Sequence, residues 1–323
     1  MEIYNDDCFN IFPKIADKTI DLFVLDLPYA NEDFGKCTAC KWDNTIDLDK
    51  MWVEIKRIMK PNAVILFYCN TKFGFSLIKS NMKWFRYDLI WKKSRKVGFL
   101  SANKMPLRQH ENIYVFGGLN EDNDELINYS KQILKYIGKT KAEIKKNIKD
   151  ADHFFRYSKD NFSMPTEETY NKLIAFYKID KMEGFIDYKD LDVKTKYNPQ
   201  KTEGKPYKMK EGGDINNNIY GNFKRRGNNK GDRHPTSIYP ETIETTILEH
   251  NNPHKTLHRT QKPLSLCEWL IKTYSNEGDT VMDFTMGSGT TGEACINTKR
   301  KFIGIELDKE IFELAENRLI LVR

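Results

Sequence analysis

The sequence lacks any long apolar run. Its longest runs, such as AVILFY at 63–68, are far shorter than the roughly 18 apolar residues of a membrane-spanning helix, and no basic segment followed by an apolar one opens the chain. Cysteine is scarce as well, because six residues in a chain of 323 do not make the disulfide framework of a secreted domain. We therefore expect a soluble, cytoplasmic protein with reduced thiols.

The sequence is also poor in metal-ligand patterns. Cys37 and Cys40 form its only C-x-x-C pair, whereas a structural zinc site needs four ligands. Because no second pair exists, we expect no bound metal.

No sign of charge dominates, since the net charge of +6 is too small to indicate a polyanionic partner by itself. The charges are unevenly distributed, however. Seven lysines and one acidic residue lie between Lys131 and Lys149, and nine basic and four acidic residues lie between Lys201 and Arg233. Either run alone is equally well explained as a solvated surface. Together, beside the glycine- and asparagine-rich stretch 221–234, they favour a surface that follows a phosphate backbone.

The first and last parts of the chain share an alternating pattern of strands and helices. Four runs of branched and aromatic residues predict strands at 20–26, 63–69, 87–93 and 111–117. An amphipathic pattern, ended by Pro61, predicts a helix at 47–60. The last part predicts helices at 263–274, 291–298 and 309–319, with strands at 280–284 and 301–307. This alternation predicts an α/β fold with a parallel sheet.

The middle of the chain, residues 119–235, has a different character. Helical stretches at 130–138, 141–149 and 166–179 precede the irregular basic stretch. Their short connections permit a helix-turn-helix motif, but three helices with apolar faces are more typical of a small bundle.

A glycine-rich loop connects a predicted strand to a predicted helix in the last part. Gly287, Gly289 and Gly292 spell G-x-G-x-x-G, and Glu306 follows Gly287 by 19 residues at the end of the next strand. Glycines there let the backbone approach a nucleotide, and an acid at that spacing can bind ribose hydroxyls, which predicts a nucleoside cofactor. NAD is the usual candidate, but only 31 residues follow Gly292, too few for the second half of a dinucleotide fold. The rest of the sheet must therefore come from the N-terminal part, which is a permuted arrangement.

The tetrapeptide Asp26, Leu27, Pro28 and Tyr29 follows the first predicted strand. Since ligands collect at the carboxyl ends of parallel strands, Asp26 and Glu306 are expected to share one crevice. Pro28 cannot donate a hydrogen bond, so the Asp26 carboxylate and the Leu27 carbonyl offer two acceptors beside the Tyr29 ring. This suits a planar group with an exocyclic NH2, such as adenine or cytosine, although the tetrapeptide alone is more often a turn that ends a strand.

Together these segments resemble the amino-methylating DNA methyltransferases that use S-adenosylmethionine. D-L-P-Y resembles their catalytic D-P-P-Y tetrad, and D-F-T-M-G-S-G-T-T (283–291) resembles their D-P-F-x-G-S-G-T-T cofactor loop. Three further segments resemble family motifs, namely N-D-D-C-F (5–9), H-R-T-Q-K-P (258–263) and F-I-G-I-E-L (302–307). Their order, with the catalytic tetrad first and the cofactor loop last, is similar to that of the beta group.

The resemblance implies a Rossmann-like methyltransferase sheet, circularly permuted, with an inserted and mainly helical target-recognition region. That region is 119–235, between a catalytic half (1–118) and a cofactor half (236–323). The implied activity is methyl transfer from S-adenosylmethionine to N6 of adenine in a flipped-out base of double-stranded DNA. N4 of cytosine is an alternative, but the family's cytosine enzymes usually have serine in place of Asp26. A catalytically inactive DNA-binding regulator is a third interpretation, and a homodimer and a cognate restriction endonuclease remain open as partners.

The resemblance also assigns residues to roles. Asp26, Leu27, Pro28 and Tyr29 are expected to be catalytic. Cofactor contacts are expected from Asp7, Cys8, Asp26, Gln261, Lys262, Asp283, Phe284, Thr285, Gly287, Ser288, Gly289, Thr290, Thr291, Glu306 and Leu307. DNA contacts are expected from Trp42, in a segment where the family has a mobile loop, and from the basic residues Lys145, Lys146, Lys224, Arg225 and Arg226.

Three residues depart from the family pattern. Leu27 replaces a proline, which is tolerable if only its carbonyl acts. Thr285 stands where the family usually has phenylalanine, with Phe284 one place earlier, and Arg259 replaces a proline. Outside the motifs, His110 beside Glu111 is compatible with acid–base work, but we expect a structural histidine.

Overall fold

The computed structural model describes residues 1–30, 45–117, 124–157, 162–191, 196–203, 205–206, 215–217, 221–223, 231–233, 247–250 and 261–322. The chain folds into two compact units, which we name the sheet unit (residues 1–117 and 196–323) and the helical unit (residues 118–195).

The described residues form strands and helices that we number in chain order. The strands are β1 (Glu2–Asn5), β2 (Ile20–Leu25), β3 (Met59–Cys69), β4 (Phe85–Val97), β5 (Arg108–Gly117), β6 (Thr202–Glu203), β7 (Ile215–Asn217), β8 (Gly221–Phe223), β9 (Asp232–Arg233), β10 (Ile247–His250), β11 (Thr280–Asp283) and β12 (Lys301–Glu306). The α-helices are α1 (Cys8–Ile11), α2 (Leu48–Ile58), α3 (Thr71–Ser80), α4 (Asp124–Ile137), α5 (Lys141–Asn147), α6 (Glu167–Tyr177), α7 (Tyr188–Leu191), α8 (Leu264–Tyr274), α9 (Thr290–Asn297) and α10 (Lys309–Leu321). Short 3-10 helices lie at Phe12–Lys14, Phe99–Ser101, Lys149–Phe155 and Ile179–Lys181.

An eight-stranded sheet, in the order β1-β12-β11-β2-β3-β5-β4-β10, forms the centre of the sheet unit. The strands β1, β12, β11, β2 and β3 pair in parallel, as the sequence predicts. The prediction of a parallel sheet was wrong at β5, which is antiparallel to both β3 and β4. The reason is the short connection between β4 and β5, which contains no helix long enough for a crossover.

Helices cover both faces of this sheet, and the predicted α/β fold is confirmed. Alternate residues of β3 point to opposite faces, with Ile65 and Phe67 in one apolar core and Val64 and Leu66 in the other. The first core also contains residues of α1, α2 and α3, and the second contains residues of α8, α9 and α10. Circular permutation of the sheet stays a prediction.

The amino-terminal edge of the parallel strands is held by a buried carboxylate. Asp21 accepts hydrogen bonds from the ammonium groups of Lys60 and Lys196, each at 2.7 Å, and from the Thr280 N–H at 3.0 Å. Lys196 also pairs with Asp279 at 2.7 Å. The segment that begins at Lys196 is therefore part of the sheet unit.

The helical unit has its own apolar core. Ile133 of α4, Ile144 of α5 and Leu173 of α6 meet there with Phe154, as in a small bundle. Thr140 and Glu143 form a reciprocal capping box that fixes the start of α5. The target-recognition role of 119–235 stays a prediction, and only the part up to residue 195 belongs to this unit.

Among the described residues, none of the helices combines the length and the apolarity that a bilayer crossing requires.

Candidate functional site

Three acidic residues mark the carboxyl ends of neighbouring parallel strands. Asp26 follows β2, Asp283 ends β11, and Glu306 ends β12, and β11 lies between the other two strands in the sheet. They therefore lie along one edge, as the ends of parallel strands do. A crevice at this edge is lined by Asp26, Tyr68, Gln261, Lys262, Asp283, Thr285, Met286, Gly287, Ser288, Thr290 and Thr291. The structure thus brings most of the expected cofactor residues together and adds Tyr68 and Met286.

The glycine-rich loop closes one side of this crevice. Gly287 and Gly289 have φ values of +53° and +76°, in the left-handed region that favours glycine. Gly289 then caps the N-terminus of α9. A Cβ on Gly292 would lie 2.8 Å from Cε1 of Phe302 and 2.9 Å from Cδ2 of Leu319. The first two glycines shape the loop, and the third lets α9 pack closely.

Glu306 ties this loop to β12. One of its carboxylate oxygens accepts from the Gly287 N–H and the other from the Asp308 N–H, both at 2.9 Å. Burial raises the pKa of Glu306, and the nearby Asp308 carboxylate adds to the effect. Because each oxygen of a carboxylate can accept more than one hydrogen bond, both can also accept from vicinal hydroxyls.

Asp283 is buried at the base of the crevice. It accepts a hydrogen bond from the Thr291 hydroxyl at 2.7 Å and one from the Thr285 N–H at 3.1 Å. Burial raises its pKa to about 7 despite these bonds. The carboxyl group is therefore poised between its neutral and ionised forms near neutral pH.

A row of hydrogen bonds and ion pairs passes through Asp26 and Tyr29 of the tetrad. The Tyr29 hydroxyl lies 3.0 Å from Oδ1 of Asp26 and 2.7 Å from Oε1 of Glu111. Lys262 forms an ion pair with the other oxygen of Asp26, and Lys93 pairs with Oε2 of Glu111 at 2.8 Å. The order of groups along the network is therefore Lys262, Asp26, the Tyr29 hydroxyl, Glu111 and Lys93.

The protonation states in this network follow from burial and charge. Burial raises the pKa of Tyr29 well above 10, and the two carboxylates add to the effect, so the phenol keeps its proton. Burial also raises the pKa of Asp26, against the opposing charge of Lys262. At Glu111 burial acts in the same direction, but Lys262 and Lys93 outweigh it and hold the pKa below its usual value. The phenol has one proton to donate, and the shorter distance favours Glu111 as its acceptor.

The Tyr29 ring is held by stacking as well. It lies 5.5 Å from the Phe73 ring, centroid to centroid, with an angle of 24° between the planes. Leu27, by contrast, is buried in the apolar core. Pro28, which follows Leu27 and precedes Tyr29 in the sequence, is half-buried. The tetrad thus has one anchored aromatic ring, one core residue and one paired carboxylate.

Two expected cofactor residues take different positions at the start of the loop. Phe284 is buried, and its ring packs edge-on against Phe12 at 5.2 Å. Thr285 lines the crevice instead. Leu307 is exposed directly after Glu306.

The N-terminal candidates lie on α1, which follows β1. The Asp7 side chain caps this helix by accepting from the Phe9 N–H at 2.8 Å. Burial raises the pKa of the Cys8 thiol to about 12, and the Asp7 charge adds to the effect. The Asp6 N–H donates to the Glu306 carbonyl at 3.2 Å, so this turn lies beside the end of β12.

Several candidates cannot be placed at the site. Lys145 and Lys146 are exposed on α5 of the helical unit. Four DNA-binding candidates lie outside the described residues, namely Trp42, Lys224, Arg225 and Arg226. The same is true of the C-x-x-C pair, Cys37 and Cys40, and of Arg259, which departs from the family pattern.

Glu111, Lys93 and Tyr68 were not among the residues expected at the site. Glu111 neighbours Asn112, which pairs with Cys69 at the end of β3. The antiparallel direction of β5 brings its start, rather than its end, to the edge where Asp26 lies. The available signal was an acidic residue at the start of a predicted strand, two residues before its apolar run.

A second cavity, of about 190 Å³, shares Tyr29 and Glu111 with the network. Its other lining residues are Cys69, Asn70, Thr71, Lys93, Val97, Arg108, His110 and Asn112. Three basic side chains and one carboxylate therefore surround it. The exposed His110 lines this cavity, although we expected only a structural role for it.

Similar proteins are found among both curated sequences and solved structures. The type II methyltransferase M.HpaI of Haemophilus parainfluenzae is 37% identical over 97 residues, which is 30% of this chain and 30% of that protein. The DNA adenine methyltransferase YhdJ of Escherichia coli (strain K12) is 47% identical over 62 residues, 19% of this chain and 21% of that protein. The matched segments span less than a third of these relatives.

Among the similar solved structures are two that cover nearly the whole chain at low identity. The M1.HpyAVI–SAM complex has a TM-score of 0.49 and 18% identity, covering 98% of this chain and 99% of the other. The cytosine-N4-specific PvuII DNA methyltransferase has a TM-score of 0.49 and 12% identity, covering 99% and 90%.

A family model covers most of the sequence. The model of the N6/N4 methyltransferases, described as DNA methylase, matches residues 20–317. The matched range contains the tetrad, the glycine-rich loop and Glu306, all of which lie at one edge of the sheet. The protein belongs to the N6/N4 DNA methylase family.

Proposed function

We propose that the protein transfers a methyl group from S-adenosylmethionine to N6 of adenine in a flipped-out base of double-stranded DNA. The observation that carries this proposal is the position of the Asp26 carboxylate. It lies between the glycine-loop crevice and the Tyr29–Glu111 pair, and so between a nucleoside-binding edge and an anchored aromatic ring.

The crevice and the adjacent Glu306, which accepts a hydrogen bond from the lining residue Gly287, fit the proposed cofactor. Glu306 has spare acceptor capacity for two ribose hydroxyls, and the left-handed Gly287 and Gly289 keep the loop backbone open to a ligand. Asp283 offers a carboxylate that a cationic amino group would hold in its ionised form. When bound, S-adenosylmethionine supplies an activated methyl group, so no covalent enzyme intermediate is required. Gln261, Lys262 and Thr285 also line the crevice, which supports their proposed cofactor contacts.

Asp26 and the Leu27 carbonyl are the proposed acceptors for the two protons of the target amine. The amine is a poor nucleophile because its lone pair is delocalised into the ring. Hydrogen bonds to both protons favour a more tetrahedral nitrogen, with the lone pair directed at the methyl group. This requires an ionised Asp26, since only that form is purely an acceptor. Lys262 supports it by opposing the effect of burial on the pKa of Asp26.

Glu111 and Tyr29 are the proposed positioning pair for the base. The phenol proton goes to Glu111, which leaves Oδ1 of Asp26 free of a donor from Tyr29. The hydrogen bond and the Phe73 stack fix the ring on which the flipped base is proposed to lie. Stacking there would offset part of an unstacking cost on the order of a few kcal/mol.

Adenine is proposed over cytosine on the identity of Asp26, where the family's cytosine enzymes usually have serine. The match to YhdJ, named a DNA adenine methyltransferase, supports the same choice. The basic residues of 119–235, including the exposed Lys145 and Lys146, are proposed to hold the DNA.

The first test is tritium transfer to genomic DNA, followed by base-modification-sensitive sequencing to identify the methylated base and its motif. Asp26→Ala should abolish transfer even at saturating S-adenosylmethionine, because it removes an acceptor for the amine. Wild-type turnover in this variant would refute the catalytic role of Asp26. Methylcytosine in the product would show that the target base is cytosine and not adenine.

Glu306→Ala is the complementary variant. Loss of charge-assisted hydrogen bonds to the ribose should weaken S-adenosylmethionine binding by roughly 1 to 3 kcal/mol, and transfer should recover at saturating cofactor. An unchanged calorimetric Kd would count against the ribose assignment.

A further inference from the structure

An apolar loop projects from the strand pair beside the second cavity. We name residues 98–107, which connect β4 to β5, the β4–β5 loop. Its Phe99 and Leu100 side chains are 77% and 88% exposed, and Met105 is also exposed. Large apolar side chains grouped in this way on a surface are typical of a binding site.

Backbone hydrogen bonds give this loop a defined shape. Gly98, with φ of +92°, turns the chain out of β4 into the 3-10 helix Phe99–Ser101. The Ser101 N–H donates to the Gly98 carbonyl at 2.9 Å, and the Lys104 and Met105 N–H groups both donate to the Ser101 carbonyl. The apolar side chains are therefore presented by a folded turn.

The surrounding sequence is strongly basic. No acidic residue occurs between Asp88 and Glu111. The basic residues in that interval are Lys92, Lys93, Arg95, Lys96, Lys104 and Arg108. A polyanion is thus the partner whose charge complements the β4–β5 loop and the strands that flank it.

The loop begins and ends at the second cavity. Val97 pairs with Arg108 at the base of the loop, and both line the cavity together with Tyr29 and Glu111. A nucleotide in this cavity would therefore lie beside the loop, with its phosphates near basic side chains.

We propose that the β4–β5 loop is a wedge that enters the DNA helix where the target base has left it. Phe99 and Leu100 occupy the vacated space against the neighbouring base pairs, and Lys96, Lys104 and Arg108 contact the phosphates. Apolar side chains that insert between bases and keep them apart are a known mode of DNA deformation. The inference rests on the proposed function, because it takes duplex DNA with a flipped base as the substrate.

The test is binding without cofactor, measured by fluorescence anisotropy on two labelled duplexes. One duplex is fully paired, and the other is identical except for one abasic site. The wild type should bind the abasic duplex roughly tenfold more tightly, because the gap removes the cost of unstacking a base. The double variant Phe99→Ala/Leu100→Ala should lose this preference and keep its salt dependence, since the basic residues remain.

A matched control removes two other exposed apolar side chains, far from the loop in the sheet order. Ile320 and Leu321, on α10, are 61% and 85% exposed. Their helix contacts β1 and β12, at the other end of the sheet order from β4. Ile320→Ala/Leu321→Ala should retain the preference for the abasic duplex. Both double variants should melt at the wild-type temperature, as expected for exposed positions.

A Phe99→Trp variant reports insertion directly. Its additional tryptophan emission, relative to the wild type, should be quenched by the abasic duplex and become less accessible to acrylamide. If it stays fully accessible in the complex, or if Phe99→Ala/Leu100→Ala keeps the abasic preference, the wedge is refuted. Binding to anionic lipid vesicles that requires Phe99 and Leu100, without an abasic preference, would refute it in favour of a lipid surface.

These measurements separate the inference from the proposed function. They require no methyl transfer, so an inactive wild type whose abasic preference depends on Phe99 would refute the methyltransferase proposal alone. An active wild type whose binding ignores Phe99 and Leu100 would refute the wedge alone.

Discussion

The Tyr29–Glu111 hydrogen bond gives the sharpest prediction about the site. Glu111→Gln keeps the shape of the side chain but removes the charge that attracts the phenol proton across 2.7 Å. Hydrogen bonds to charged groups contribute about 1.5 to 3 kcal/mol, and those between neutral groups about 0.5 to 1.5. The difference, on the order of 1 to 1.5 kcal/mol, corresponds to a loss of roughly 5- to 15-fold in the rate of transfer.

A second effect acts in the same direction. Once Glu111 no longer attracts the phenol proton, the remaining charged acceptor is Oδ1 of Asp26, at 3.0 Å. That oxygen is then occupied by Tyr29 when the amine needs it. The loss should therefore appear in the transfer step, while cofactor affinity stays unchanged because Glu111 does not line the glycine-loop crevice.

The assay is single-turnover methyl transfer at saturating cofactor, arranged as a double-mutant cycle with Tyr29→Phe. Phenylalanine keeps the ring but has no hydroxyl, so Glu111→Gln should cost much less in that background. If the two losses multiply without coupling, Glu111 acts through the general fold and the reasoning is refuted. Lys93→Gln serves as a control, since it breaks the ion pair at 2.8 Å and leaves the phenol contact in place.

Two further predictions concern stability. Burial raises the pKa of Asp283 to about 7, against roughly 4 in an unfolded chain, so the folded state holds this proton more tightly and the free energy of unfolding falls as pH rises from about 4 to 7. Urea titrations across that range should show a smaller decline for Asp283→Asn than for the wild type, and parallel pH curves would contradict the assignment. Gly292→Ala should lower the free energy of unfolding by about 1 to 3 kcal/mol, because the new methyl group would lie within 3 Å of Phe302 and Leu319, and an unaltered Tm would show that α9 shifts at little cost.

The sequence predicted the strands around the site well, because each is a short apolar run with a polar residue after it. The run at 63–69 belongs to a strand that begins earlier, at Met59, so the helix predicted to end at 60 ends at Ile58. Pro61 lies within that strand rather than after the helix. The apolar pattern thus fixes an element's centre better than its ends.

Pairing direction was harder to predict than strand position. The runs at 87–93 and 111–117 carry no mark of their antiparallel pairing, which depends on the short connection between them. Glu111 was missed for the same reason, since only an antiparallel β5 brings its first residues beside Tyr29. The motif residues Asp26, Asp283 and Glu306, in contrast, all follow or end parallel strands, and their common edge follows from that alone.

The strand order has a consequence for how the chain is made. β1 and β2 are neighbours in sequence, yet β12 and β11, from the last fifty residues, separate them in the sheet. During synthesis β1 therefore has no pairing partner until β12, some 300 residues later, has emerged from the ribosome. Pairing between strands some 300 residues apart is slow, because the chain loses the conformational entropy of a long loop before the contacts between the strands form and stabilise it. The edge that holds Asp26 and Glu306 is thus completed last, and a nascent chain that stalls before residue 280 would carry the tetrad without the glycine loop.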